Sequence, residues 1–439
     1  MFVRNSMKPT SEFLDAQIAR GQSNAQAAIS ITIGRPARNW ARAGSWSIGT
    51  PAAVNGEYAA TVREDGPSSP LFRHAWDELV AASEAPGAIY QTPAFFDYIR
   101  KAERDSRFDV VAITNARNAM VGVVPVKRST LELPFVVGPH KLPGPCLNDI
   151  AILGGEPAIP EDPAALDSLF LRLSEHYREA EVIYLNEVRL QSYLWDYLRT
   201  SSTIHSLFHT HVMDGFRECH TIPLPRTVED YTAKLSKSRR YNLLRQVRIL
   251  QKDLDGPLEL ETIDSPSGLS ELFRALDTLA VRGPHDSLME QDQYISAAVY
   301  GFLQCYLLKS ADRPIALVLG RKIGNVYKAD KFLHDRSLEK YSPGTTLWHL
   351  VVKNMIAAGD IGSVDMGYGS PAYRFRATNT IEYRGRILLF RRSFRNRVRI
   401  VARSRFAAAV NFAKRGIGRD PQVCRFPDLA PEAKLDSYA

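Results

Sequence analysis

The sequence predicts an α/β protein made of two similar units. Three observations carry this. From residue 71 onward, helical and strand periodicities alternate along the chain instead of segregating into blocks. Two β-hairpins, over 108–126 and 315–332, sit in halves that each run helices, hairpin, helix, strand. The stretch from Tyr341 to Arg376 then reads as loop, helix, short strand, glycine turn and second helix start.

Taken in order, residues 1–70 show weak periodicity and much Ala, Gly, Ser, Pro and Arg. They are expected to be disordered or loosely docked, with Ile29 to Ile33 as a strand lacking a partner. Trp76, Leu79 and Val80 mark a first helix, and Gln91-Thr92-Pro93 opens a second with Phe95, Phe96, Tyr98 and Ile99. The first hairpin, a Gly/Pro loop at 138–145, a strand near 150–153, a helix over 163–177 and a strand over 182–185 complete a domain expected at 71–215. The second domain, expected at 216–390, opens with a basic helix over 233–252. A strand at 258–263, a helix at 269–281 and the second hairpin, turning near Gly324, follow. Residues 391–439 read as a basic amphipathic tail.

In the organising stretch, Ser342 is the predicted N-cap and Pro343 suits the first helical position, where its missing N–H costs nothing. Gly344, Thr345 and Thr346 keep that turn small, so its free N–H groups and positive dipole end can approach an anion, phosphate above all. The alternative is an ordinary capped helix. Leu347, Leu350, Val351, Met355 and Ala358 recur at helical spacing until Gly359 closes the helix. A strand over 363–366 sends Val364 and Met366 to one face and Ser363 and Asp365 to the other. Gly367-Tyr368-Gly369 releases the backbone, and Ser370-Pro371 caps a helix carrying Tyr373 and Arg374.

These residues resemble the closing motif of CelD-like acyltransferases, a branch of the GNAT superfamily related in architecture to the Fem peptidyltransferases. The resemblance spans residues 72–390 and implies tandem GNAT-like (acyl-CoA N-acyltransferase) domains in a bacterial cytoplasmic enzyme. It also implies acetyl-CoA or another acyl-CoA as cosubstrate, with its pyrophosphate on the helix start after the fourth strand. Here that strand contains Tyr327 and Lys328, and the helix start comprises Ser342, Gly344, Thr345 and Thr346. The family commonly has Lys where Arg374 stands; arginine keeps the charge but not the proton-transfer ability. The basic helix resembles the one opening the family's second domain, which nominates Arg240 and Arg245, with Arg374, as contacts to an anionic acceptor. A solvated basic face is the other reading.

Amine acylation requires a route for the ammonium proton, donors for the tetrahedral oxyanion and a proton for the leaving thiolate. Asp365 is the candidate base, or else it only accepts hydrogen bonds from the turn beyond it. Tyr327, Tyr368 or Tyr373 are candidate donors to the thiolate. The acceptor implied is an amine of a small molecule or of an envelope or polysaccharide precursor. A Fem-like transferase using aminoacyl-tRNA and a non-catalytic scaffold of a polysaccharide-synthesis complex share the same expected fold.

Charge is uneven. Eleven arginines and one lysine lie in 384–419 with no Asp or Glu, and removing those twelve from the net +8 leaves −4 elsewhere. The excess therefore belongs to one tail, whose outer face is expected to meet anionic lipid headgroups or an acidic partner while the other packs on the second domain. Specific nucleic-acid binding is not predicted. Cys146, Cys219, Cys305 and Cys424 form no CxxC pair, as in a reducing compartment. No membrane span or continuous apolar signal region is predicted, which fits a cytoplasmic enzyme, at most peripheral to the inner membrane. His205, His209 and His211 have the spacing of a helical metal pair, but no HExxH or completing ligand accompanies them, so no metal is predicted.

Overall fold

The computed structural model describes residues 52–54, 57–64, 66, 69–83, 85, 87–137, 140–254, 256–279, 288–368 and 380–416. Ile29 to Ile33, Ser370, Pro371, Tyr373, Arg374, Cys424 and the last residues of the basic run lie outside the described residues. The chain divides into two compact units: an N-terminal unit of Arg35–Glu218 with Glu382–Ala439, and a C-terminal unit of Cys219–Ile381.

The N-terminal unit contains β1 (Ala52–Val54), β2 (Tyr58–Glu64), α1 (Pro70–Ala81), α2 (Pro93–Ala102), β3 (Arg107–Asn115) and β4 (Met120–Glu132). The short pair β5 (Phe135–Val137) and β6 (His140–Leu142) follows, then β7 (Cys146–Ile152), α3 (Pro163–His176) and β8 (Val182–Arg189). Next come α4 (Tyr193–Thr200), α5 (Ser202–Leu207) and β9 (Phe208–Pro223), within which the chain enters the C-terminal unit. That unit holds α6 (Val228–Ala233), α7 (Lys237–Asp253), β10 (Glu259–Ile263), α8 (Leu269–Leu279) and α9 (Gln291–Val299). It continues with β11 (Cys305–Ser310), β12 (Arg313–Ile323), β13 (Val326–His334), α10 (Pro343–Ala358) and β14 (Ser363–Tyr368). From Glu382 the chain is again in the N-terminal unit, with β15 (Thr380–Arg391) and α11 (Phe394–Gly416).

The two units repeat one topology. In the N-terminal unit the strand order is β1-β2-β3-β4-β7-β8-β15, antiparallel throughout except for β7 against β8. In the C-terminal unit it is β10-β11-β12-β13-β14-β9, antiparallel except for β13 against β14. Each parallel pair is joined by a helix, α3 or α10, because parallel neighbours need a crossover. The crossover helices fill the two main cores. Leu166, Leu169, Phe170 and Leu173 of α3 pack on Val111, Val124, Ile150 and Ile183. Leu347, Trp348, Val351 and Met355 of α10 pack on Tyr306, Val318, Tyr327 and Val364. The duplicated mixed α/β fold is therefore the one the hairpins predict.

Boundaries differ in three places. Residues 58–64 belong to the fold as β2, paired with β3 from Tyr58↔Asn115 to Glu64↔Asp109. Alternating small residues at a sheet margin gave this strand too little apolar contrast to register in the sequence. Glu382 to Arg391 belongs to the N-terminal unit, where Ile387, Leu388, Leu389 and Phe390 are buried and pair with β8. The basic tail likewise packs on the N-terminal unit, not the second domain: Phe406 meets Phe135 at 4.9 Å, and Ile400 joins Leu131, Tyr184 and Met213. The three histidines are divided between helix and strand, His205 on α5 and His209 and His211 on β9, so they do not form the helical pair their spacing suggested.

Candidate active site

The site is built where β13 and β14 part. Their parallel ladder comprises Val326↔Ser363, Tyr327↔Val364 and Lys328↔Asp365. Immediately beyond, β13 bulges: Gly320 pairs with Ala329 but Leu319 with Lys331, leaving Asp330 as the extra residue. A bulge bends its strand and increases local twist, which turns β13 away from the line of β14. Arg321 holds Asp330 with two bonds of 2.9 and 3.0 Å, fixing the bulge.

Strand alternation sorts the side chains there. Tyr327 and Val364 point into the α10 core, whereas Lys328 and Asp365 share the opposite face. Lys328 and Asp365 are 9% and 6% exposed, and Lys328 Nζ lies 3.2 Å from Asp365 Oδ2. Asp365 Oδ1 accepts the Gly367 N–H at 2.7 Å, a turn that Gly367 enables with φ of 67°. Asp365 is thus both an acceptor for the turn beyond it and half of a buried ion pair. Tyr368 ends the strand half-buried opposite Cys219.

Tyr327 has no exposed surface, and its phenol oxygen has no hydrogen-bond partner among the described residues. It lies against Gly320, where a Cβ would come within 2.3 Å of that oxygen. Burial raises its pKa well above 10. Its side chain is core, so neither cofactor contact nor proton donation to a thiolate is open to it in this geometry; only the strand backbone remains for a ligand.

The helix start departs from expectation in one respect. Ser342 is left-handed (φ 53°, ψ 52°), and its side chain makes no cap hydrogen bond. The 3-10 turn Arg336–Tyr341 runs directly into it, with Ser342 N–H bonded to Glu339 O at 2.9 Å, and this reversal takes the hydroxyl off the helix axis. Ser342 contributes its carbonyl instead, accepting Thr345 N–H at 3.0 Å and Thr346 N–H at 3.2 Å. No acidic side chain lies in the first turn. Thr346 is fully buried, with an Oγ1 lacking a partner among the described residues. With no exposed surface, the Thr346 side chain is as closed to a ligand as that of Tyr327, whereas the small, uncapped turn with half-buried Thr345 and no carboxylate can take an anion such as a pyrophosphate. Further along α10, burial lowers the His349 pKa to about 4, assisted by Lys353, so it faces Tyr231 as a neutral imidazole at 3.3 Å.

The corresponding places in the N-terminal unit are filled. Asp162 caps α3, accepting Ala164 N–H at 2.8 Å and the Tyr58 hydroxyl at 3.1 Å, so its carboxylate already occupies the positive helix end. After the four-pair β7–β8 ladder the chain stays on its neighbour: a Cβ at Gly155 would lie 1.6 Å from Asn186 O. Glu156, 5% exposed, closes the gap by accepting from Arg189 Nη2 at 2.8 Å and Arg189 backbone N–H at 2.6 Å.

Arg240 and Arg245 are exposed on α7, whose Leu243 and Leu250 are buried. Five residues apart, they point about 140° from one another around the helix. What the residue pattern missed is the Lys328–Asp365 pair and the Asp330 bulge. Both depend on strand register, which leaves no local signal.

Residues 237–375 match the family described as Acetyltransferase (GNAT) domain. Curated protein sequences give no significant match. Among solved structures, FemX aligns with a TM-score of 0.50 at 11% identity, over 72% of this chain and 96% of FemX. A tandem GNAT protein from the clavulanic acid biosynthesis pathway aligns at 0.45 and 10%, over 75% and 98%. L-PGS from Bacillus licheniformis aligns at 0.42 and 12%, over 80% and 98%. A GNAT-type acetyltransferase domain therefore occupies most of the C-terminal unit, within a mixed α/β fold that resembles FemX.

Proposed function

We propose that this protein is an acyl-CoA-dependent N-acyltransferase with one donor site, in the C-terminal unit, acting on an amine of a small molecule or of an envelope or polysaccharide precursor. The observation that carries it is the contrast between the crossovers. The ladder before α10 ends at a bulge and an uncapped helix start, whereas the equivalent places before α3 are closed by Asp162, Gly155 and Glu156.

In this reading the first turn of α10 holds the pyrophosphate through Gly344 N–H and the Thr345 hydroxyl, with Thr346 packed beneath them, and the parted backbones of β13 and β14 hold the pantetheine arm. Acyl-CoA supplies an activated thioester carbon. The amine must reach it deprotonated, and Asp365 is the proposed base for that step, directly or through water. Lys328 keeps the carboxylate oriented and the local charge balanced. Tyr368 is the proposed donor of a proton to the departing thiolate, with Tyr373 the other candidate. Arg240, Arg245 and Arg374 are proposed contacts for an anionic acceptor. A cytoplasmic setting is part of this reading; among the described residues, no helix is long and apolar enough to cross a membrane. The likeness to FemX favours a second reading, in which the acyl group comes from aminoacyl-tRNA on the same fold.

Thermal unfolding with CoA tests the donor. At 100 times its Kd, CoA should stabilise the fold by about 2.7 kcal/mol. Gly344→Asp, which adds bulk and negative charge to the helix start, should abolish that shift. An unchanged CoA response in the variant removes the proposed cradle. No CoA response, with turnover of aminoacyl-tRNA, selects the second reading.

A further inference from the structure

One side of α11 is exposed at most of its described positions from Phe394 to Phe412. Its inner side is spent on the N-terminal unit: Arg399 Nη1 donates to Glu181 and Asn396 at 2.6 and 2.7 Å, Arg403 donates to Pro134 O at 3.2 Å, and Ile400 and Phe406 are packed. The outer side carries Phe394, Val398, Val401, Arg405, Ala408 and Phe412, whose alternating spacing of four and three residues keeps them in one stripe. Phe394 is 84% exposed, Val398 50% and Phe412 80%. The stripe spans about 27 Å at the usual helical rise. Arg395 and Arg397 flank it, both exposed, and Arg397 and Arg405 form no ion pair among the described residues. No Asp or Glu occurs between 384 and 419.

We propose that this outer face docks the protein on the surface of a bilayer containing anionic phospholipid, lying in the plane of the interface. Two protruding phenylalanines about five turns apart, with arginines between and beside them, match the composition of helices that place apolar side chains at the headgroup boundary while cations reach the phosphates. Arg405 sits on the stripe itself, where a helical protein partner would bury it unpaired; at a lipid surface its guanidinium stays among headgroups. Charge sets the orientation. The chain outside 384–419 carries −4 and is repelled by an anionic surface, which presents α11 first. This inference is independent of the donor chemistry.

Cosedimentation of the full chain tests it, using vesicles of phosphatidylcholine alone and of phosphatidylcholine with 30% phosphatidylglycerol at low and high salt. Binding is expected to the anionic vesicles only, at least tenfold weaker at high salt. Phe394→Ser with Phe412→Ser, and separately Arg397→Glu with Arg405→Glu, should each weaken it by tenfold or more while leaving the melting temperature within a degree or two, since all four side chains are exposed. Full-length protein that ignores anionic vesicles at low salt overturns the proposal and leaves an acidic protein partner for this face. Undiminished binding by the phenylalanine variant also overturns it, because attraction would then be electrostatic without insertion.

Discussion

Asp365 shows how one residue can hold two roles that a single substitution confuses. Its carboxylate is half of a buried pair with Lys328 and anchors the Gly367 turn. Asp365→Asn would leave Lys328 charged and unpartnered by it, and breaking a buried pair costs about 3–5 kcal/mol. Lower activity with a lower melting temperature is then expected whatever the chemistry. Asp365→Asn combined with Lys328→Met separates the roles: removing the stranded charge should recover much of the stability. If Asp365 accepts the proton, turnover in the stable double variant stays about 100-fold or more below wild type. Turnover that returns with stability would reduce Asp365 to a structural acceptor.

At the scale of the element, the two crossover helices begin in opposite ways. In α3, Asp162 bonds a backbone N–H and complements the dipole. In α10, Ser342 makes no cap bond. Asp162→Ala should therefore destabilise the N-terminal unit by about 1 kcal/mol, the usual value of a lost cap. Ser342→Ala should change stability by less than about 0.5 kcal/mol. Thermal unfolding of both variants checks the pair, and a larger loss from Ser342→Ala would mean its hydroxyl caps the helix in solution. The same contrast shows how a duplicated element can diverge: a carboxylate completes one helix start and is absent from the other.

For the whole molecule, duplication of the topology does not imply duplication of the donor site. Titration calorimetry should give one CoA per chain. Ala164→Asp, at the start of α3, should leave that stoichiometry untouched, whereas Gly344→Asp removes binding. Two sites per chain would contradict the closure of the N-terminal crossover by Asp162, Gly155 and Glu156. The charge distribution belongs to this scale as well, because twelve basic residues of one C-terminal run set the sign of the entire protein.

By itself the sequence determined the mixed α/β class, the duplicated order of elements, the helix Pro343–Ala358 with its proline start and Gly359 stop, and the basic character of the C-terminal run. These follow from local periodicity, backbone preferences and composition. Tertiary structure alone decided that Lys328 faces Asp365, that Tyr327 is core, that Ser342 turns left-handed, and that β15 and α11 belong with the N-terminal unit. The physical reason is common to all four. Strand register, side-chain burial and the destination of a returning segment are set by contacts between residues far apart in the chain, and neither spacing nor propensity encodes which distant partner a strand will take.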